Sequence, residues 1–521
     1  MKFKRAIALI MIFAVVFSLS ACGSKKESDS KTLVIAIQDE IEGTDIQQIG
    51  WDNVVHQLLY SPLVTFSDDL STINPCFAES YSESEDGKEI TFVLPEGAKF
   101  SNGDTLDAEA VKASFERMKE ISQYSGDIDA VTDIQVVDER TVKFILSEPA
   151  PYMWASLGSS FSGIVNTAVA EEVGDDEFNR NAVSNGPFMV KEWKAGSEIV
   201  LEKNPNYVTA NPSVENKGVM NFDQVIVRFI PDEFTRVSEL ESGNVDIAYD
   251  IPTSSVKSIT DNDDLQSYFY EQAGATYMMT QTEDEPLNDK NVRDAINVGI
   301  DRDALAEALD DQVSPLYGFI SKAQAGYSED KEAEYAEKFA YNPDKAKELL
   351  AAAGYTDSDG DGIVDKNGTP LTIEYCSPTD KASNKAAAPV IQAQLKEIGI
   401  DLQITEYEAA YIKQLQKDNN FQMMARSYVW NDADILYYVF TEESGYPWHE
   451  QTVTDALVAA RYETDPEARV VKYEEAQDAI FQYTPAISMF ADKYCIASTS
   501  GIKGFKVTND GRSIFNDVTK E

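Results

Sequence analysis

Apolar and polar positions along the chain change period repeatedly, and each change marks a predicted element. Positions 6–19 are uncharged and mostly apolar, too short a run for a comfortable membrane span. Thr32-Leu33-Val34-Ile35-Ala36-Ile37 is rich in β-branched residues and predicts an opening strand. From Val54 to Val64, Leu58, Leu59, Tyr60 and Leu63 predict a buried helix leading into a turn at Ser61-Pro62. Ile90-Thr91-Phe92-Val93-Leu94 predicts a strand, closed by Pro95-Glu96-Gly97, and Asp107 is placed to cap a helix over 108–118. Thr276-Tyr277-Met278-Met279-Thr280-Gln281-Thr282 predicts a strand with Tyr277, Met279 and Gln281 on one face and Met278 and Thr280 on the other. Strands alternate with helices to the end of the chain without heptads or a short repeat, which is a mixed α/β pattern.

The amino terminus changes the picture of where this happens. Lys2, Lys4 and Arg5 precede the apolar run, as in a secretory signal. The run ends in Leu19-Ser20-Ala21-Cys22-Gly23, which resembles a bacterial lipobox. That resemblance implies cleavage before Cys22, with diacylglycerol on its thiol. Residues 1–21 are then a signal peptide. Residues 22–32, polar from Gly23 to Lys31, are a flexible tether to the outer face of a membrane, extracellular or periplasmic.

Composition narrows the function classes. The 521 residues are 43% hydrophobic and 10% aromatic, enough to fill roughly three domain-sized cores. The formal charge of −46 opposes binding to nucleic acid. Once Cys22 is lipidated, Cys76, Cys376 and Cys495 permit at most one disulfide, and with only two histidines a structural zinc site is not expected. Asp357, Asp359, Asp361 and Asp365 have the alternate spacing of a calcium loop. The twelfth position is Gly368 instead of glutamate and a strand follows, so the segment reads as a hairpin turn with only a weak claim on metal. No nucleophile elbow, zinc-protease helix, phosphate loop or dinucleotide fingerprint is present, so an enzyme is not expected and no cofactor is called for.

Several segments, in order, resemble family 5 of the bacterial extracellular solute-binding proteins, the receptors of oligopeptide, dipeptide and nickel importers. The first runs from Phe100 to Arg117, with Asn102-Gly103-Asp104 at its turn and Asp107-Ala108-Glu109 opening its helix. Asn185-Gly186-Pro187-Phe188, Lys203-Asn204-Pro205-Asn206-Tyr207 and Leu240-Glu241-Ser242-Gly243-Asn244-Val245-Asp246 follow. The runs from Asn291 to Arg302 and from Tyr341 to Leu350, and then Gly354-Tyr355, complete the series.

The resemblance implies an α/β, two-lobed fold of the periplasmic-binding-protein kind (type II, cluster C), with an extra subdomain in the first lobe. Residues 33–58, 185–272 and 486–521 would form the first lobe, 59–184 the extra subdomain and 273–485 the second lobe. It also implies a monomeric lipoprotein that captures peptides between the lobes and delivers them to the permease subunits and ATPase of an ABC importer. Other members of the binding class would take oligosaccharides or metal chelates, or sense peptide without an importer. Relatives line the cleft with the strand carrying Tyr277, Met279 and Gln281, where Gln281 replaces their asparagine. They pair a peptide's amino terminus with an aspartate in the segment matching Tyr428, Trp430, Asp432 and Asp434, where Ala433 replaces their proline. Tyr428 and Trp430 would be cleft walls, and Asp432 or Asp434 the amine's partner.

Overall fold

The structure is a computed structural model that describes residues 31–521 apart from 69, 380, 443, 444, 446 and 447. The signal, Cys22 and all but the end of the tether lie outside the described residues. Local sequence signals set the elements much as expected. The opening strand is Thr32–Ile37. The first helix, Val54–Leu59, ends earlier than predicted because Tyr60 is already extended (ψ 148°) on the way to Ser61, whose place before Pro62 disfavours helix. Helix Ala108–Ile121 begins where predicted, with the Asp107 carboxylate accepting from Ala110 N at 3.0 Å, and runs on to Ile121.

A 12-stranded mixed sheet organises the molecule. In the first half Thr32–Ile37 pairs in parallel with Gln224–Phe229 and with the short strand Ile247–Ala248, and Glu198–Lys203 and Phe188–Lys194 extend that edge antiparallel. In the second half Thr372–Pro378 and Asp401–Tyr407 are parallel, and Met423–Val429 and Gly274–Thr280 are antiparallel neighbours. One long strand, Ala486–Thr499, serves both halves. Residues 486–490 pair with Gly274–Thr280, and residues 493–499 pair with Leu265–Glu271. The two halves are therefore joined by two adjacent, hydrogen-bonded chain crossings.

Each half has its own packing. Leu33, Ile35, Leu201, Val225 and Val227 fill the first core. A separate four-stranded sheet carries helix Ala108–Ile121, and Phe92, Phe115 and Phe144 meet edge to face between them. Burying each such ring is worth about 1.5–3 kcal/mol. In the second half the predicted alternation holds. Met278 faces a core with Ile373 and Ile487, and Tyr277 and Met279 face another with Phe319 and Phe481. Cys76, Cys376 and Cys495 are buried free thiols.

Candidate functional site

The chain crossings form the floor of a cleft of about 450 Å³, within the size range of ligand pockets. Tyr270 and Tyr494 are directly paired across these strands, and their rings stack at 5.4 Å with planes 22° apart. One wall lies at the carboxyl ends of the parallel strands, the usual position for ligands of such sheets. Asp39 follows strand Thr32–Ile37, and Tyr249 and Asp250 follow strand Ile247–Ala248. Trp51 and Asp52, before the first helix, close that side, and Ser160 and Phe161 join them. Trp430 and Asn431, just past strand Met423–Val429, supply the opposite wall.

Electrostatics at the cleft are mostly negative. Burial pushes the Asp52 carboxyl up to about 6, against the help of a Ser160 hydroxyl, and Asp510 adds to the rise. Asp250 also titrates high because it is buried, with Arg236 opposing the shift and Asp39 adding to it. Asp250 adopts a left-handed φ of 51°, which aspartate tolerates better than most residues. Arg236, 1% exposed, fixes the loops beneath by donating to the carbonyls of Ile230, Tyr249 and Asp250 at 2.7, 3.2 and 3.0 Å.

Of the residues expected to hold ligand, Trp430 lines this cleft and the others are placed elsewhere. Tyr277 and Met279 are core side chains, and Tyr428 is buried beside them with its hydroxyl donating to Phe319 O. Gln281 is buried at a separate recess, where its amide oxygen accepts from Asp284 N at 3.3 Å. Asp432 takes a bidentate pair from Arg469 at 2.7 and 2.9 Å, and Asp434 is paired with Arg461. Burial pushes the Asp434 carboxyl up to about 6 even so. These carboxylates already have guanidinium partners, and neither lines the cleft. What sequence reasoning missed is the acidic and aromatic set of the cleft: Asp39, Trp51, Asp52, Asp250, Tyr270 and Tyr494. The available signal was the position of Asp39 just past the opening strand.

The weak metal candidate is an exposed turn. Asp357, Asp359 and Asp361 bring carboxylate oxygens within 4.8 Å of one another. Those groups close the turn itself: Asp357 accepts from Gly360 N at 2.7 Å and Asp361 from Ile363 N at 2.8 Å, while Asp365 accepts from Ser358 N at 2.9 Å.

Residues 72–448 match the family model described as bacterial extracellular solute-binding proteins, family 5 Middle. The chain belongs to family 5 of these proteins. The probable D,D-dipeptide-binding periplasmic protein DdpA of Escherichia coli is 26% identical, with 88% of this chain and 87% of that one aligned. The oligopeptide-binding protein AppA of Bacillus subtilis is 26% identical, with 98% and 97% aligned. Among solved structures, NikA from Brucella suis in complex with Fe(III)-EDTA superposes with a TM-score of 0.82 at 21% identity, covering 94% of this chain and 100% of that one. The family is one of binding proteins, not enzymes. No helix among the described residues of this family 5 protein is long and apolar enough to cross a membrane.

A second contact between the halves of this solute-binding protein lies beside the cleft. Arg461, 3% exposed on helix Gln451–Arg461, places its guanidinium 3.6 Å from the ring centre of Tyr152 and 4.6 Å from that of Tyr437. Tyr152 in turn donates to Asp129 at 2.5 Å. Asp127 faces the same group, and burial with Asp434 opposite pushes its carboxyl up to about 7.

Proposed function

We propose that this chain is the receptor of an ABC importer, tethered by lipid on Cys22 at the outer face of the membrane, and that it encloses peptides in the cleft floored by Tyr270 and Tyr494. The carrying observation is the cleft itself: its two walls come from halves that two adjacent strand crossings join at its floor, a geometry suited to closing on a solute. Under this reading residues 33–58, 185–272 and 486–521 move as one lobe with 59–184 as its subdomain, and 273–485 as the other. The names of DdpA and AppA support a peptide ligand, delivered by a monomeric receptor to its permease. Ligand contact with both walls favours the closed state, and the Arg461–Tyr152 contact adds to it.

A second reading, oligosaccharide, is favoured by one observation: Trp51 and Trp430 both line the cleft, and sugars stack on indole rings. Native mass spectrometry of gently purified protein separates the two. A ladder of adducts at peptide masses is expected. A hexose-spaced series would establish the second reading, and loss of all adducts on adding EDTA would show a metal complex instead.

A further inference from the structure

We propose that the solute carries a protonated amine or guanidinium, and that this cation sits against Asp39 and Asp250 among the aromatic rings of the cleft. This rests on the reading of the cleft as the solute site and adds the ligand's charge to it. Four carboxylates line the cavity, from Asp39, Asp52, Asp250 and Asp510, against a single guanidinium, Arg512. Arg512 is already committed: its Nε donates to Asp510 at 2.8 Å, and its other nitrogens bond the Thr65 hydroxyl and the Phe66 carbonyl. Asp52 has the Ser160 hydroxyl.

Asp39 and Asp250 differ from these. Among the described residues neither carboxylate has an ion pair or a hydrogen bond, although both line the cavity, Asp39 at its exposed rim and Asp250 deeper. Arg236 offsets Asp250 through its charge alone, its bonds going to backbone carbonyls beneath the cleft. Desolvating such carboxylates when the cleft closes is unfavourable unless a positive charge is brought in. A ligand carboxylate would find no uncommitted cation in the lining and four negative groups instead. Trp51, Trp430, Tyr270 and Tyr494 surround the same space, and aromatic rings attract ammonium and guanidinium groups. The paired state of Asp432 and Asp434 leaves the Asp39 side of the cleft as the place where a cation gains most.

The test is calorimetric titration of the full-length, detergent-solubilised protein, stripped of bound solute, with Ala-Lys-Ala, Ala-Gln-Ala, Ala-Glu-Ala, their N-acetylated forms and agmatine. The expected affinity order is Lys over Gln over Glu, with about tenfold or more between the extremes, as for a close charge pair. If acetylation instead removes about tenfold whatever the middle residue, the cation is the terminal ammonium, and the proposal then requires that Asp39→Asn/Asp250→Asn abolish that loss; a loss that persists in the variant would overturn it. In Asp39→Asn/Asp250→Asn the ratio between cationic and anionic probes should fall toward one. Peptides that bind equally whatever their charge would overturn the inference and leave the peptide receptor standing. Agmatine binding without any peptide would uphold the cation and remove the peptide. No binding by any probe would overturn both.

Discussion

The Arg461 guanidinium lies 3.6 Å from the centre of the Tyr152 ring, so one buried cation of the second half is roofed by an aromatic ring of the first. The same guanidinium is the ion-pair partner of Asp434. Replacing it leaves a buried carboxylate without its cation, and breaking such pairs typically costs about 3–5 kcal/mol. Arg461→Met should therefore lower the unfolding free energy by about that amount in urea titration, and adding Asp434→Asn should recover part of the loss.

Tyr152→Ala removes the ring but leaves the ion pair. It should shift the free protein toward open forms, read as a larger radius of gyration in small-angle X-ray scattering, and weaken ligand affinity although Tyr152 does not line the cleft. An unchanged radius and affinity would show that the contact does not hold the halves together.

Asp127 makes the molecule's stability depend on pH in a defined direction. Its carboxyl is raised from 3.8 to about 7, so folding favours the protonated form. The stability that form contributes is fully present below the unfolded value and is lost as pH rises through about 7. Its buried Oδ2 has no hydrogen-bond partner among the described residues. Asp127→Asn should accordingly match the parent near pH 4 and exceed it in melting temperature by a margin that grows up to about pH 7 and is level above that. A margin that is constant with pH would contradict the account.

Trp430 and Met279 should behave oppositely, because one lines the cleft and the other is 1% exposed in a core. Trp430→Ala is expected to cost about 2 kcal/mol or more of ligand affinity, as for a buried aromatic anchor. Met279→Leu is expected to cost less than about 1.5 kcal/mol of stability and no affinity. Calorimetry on both variants checks the assignment of wall and core.

Elements were legible where their cause is local. The opening strand needs only its run of β-branched residues, and the helix after Asp107 needs only its cap and its apolar spacing. The order of the family segments carried the architecture. The cleft was not legible, because Asp39, Asp250, Tyr270 and Tyr494 are distant in sequence and meet only through parallel pairing at 32–37 and the antiparallel pairing of 265–271 with 493–499. The pairing of Asp432 and Asp434 was not legible for a related reason. Their partners, Arg461 and Arg469, arrive on two later helices, Gln451–Arg461 and Pro466–Tyr483, and nothing near the aspartates announces them.

The most direct measurement is backbone hydrogen exchange on the protein as purified against the same protein stripped of its solute. The expected result is solute-dependent protection at both walls and the floor together: residues 38–57 and 249–251 on one side, 429–431 on the other, and the crossings at 270–273 and 493–495. Protection confined to one half, or centred on the acidic turn at 357–365, would contradict a solute enclosed between the two halves.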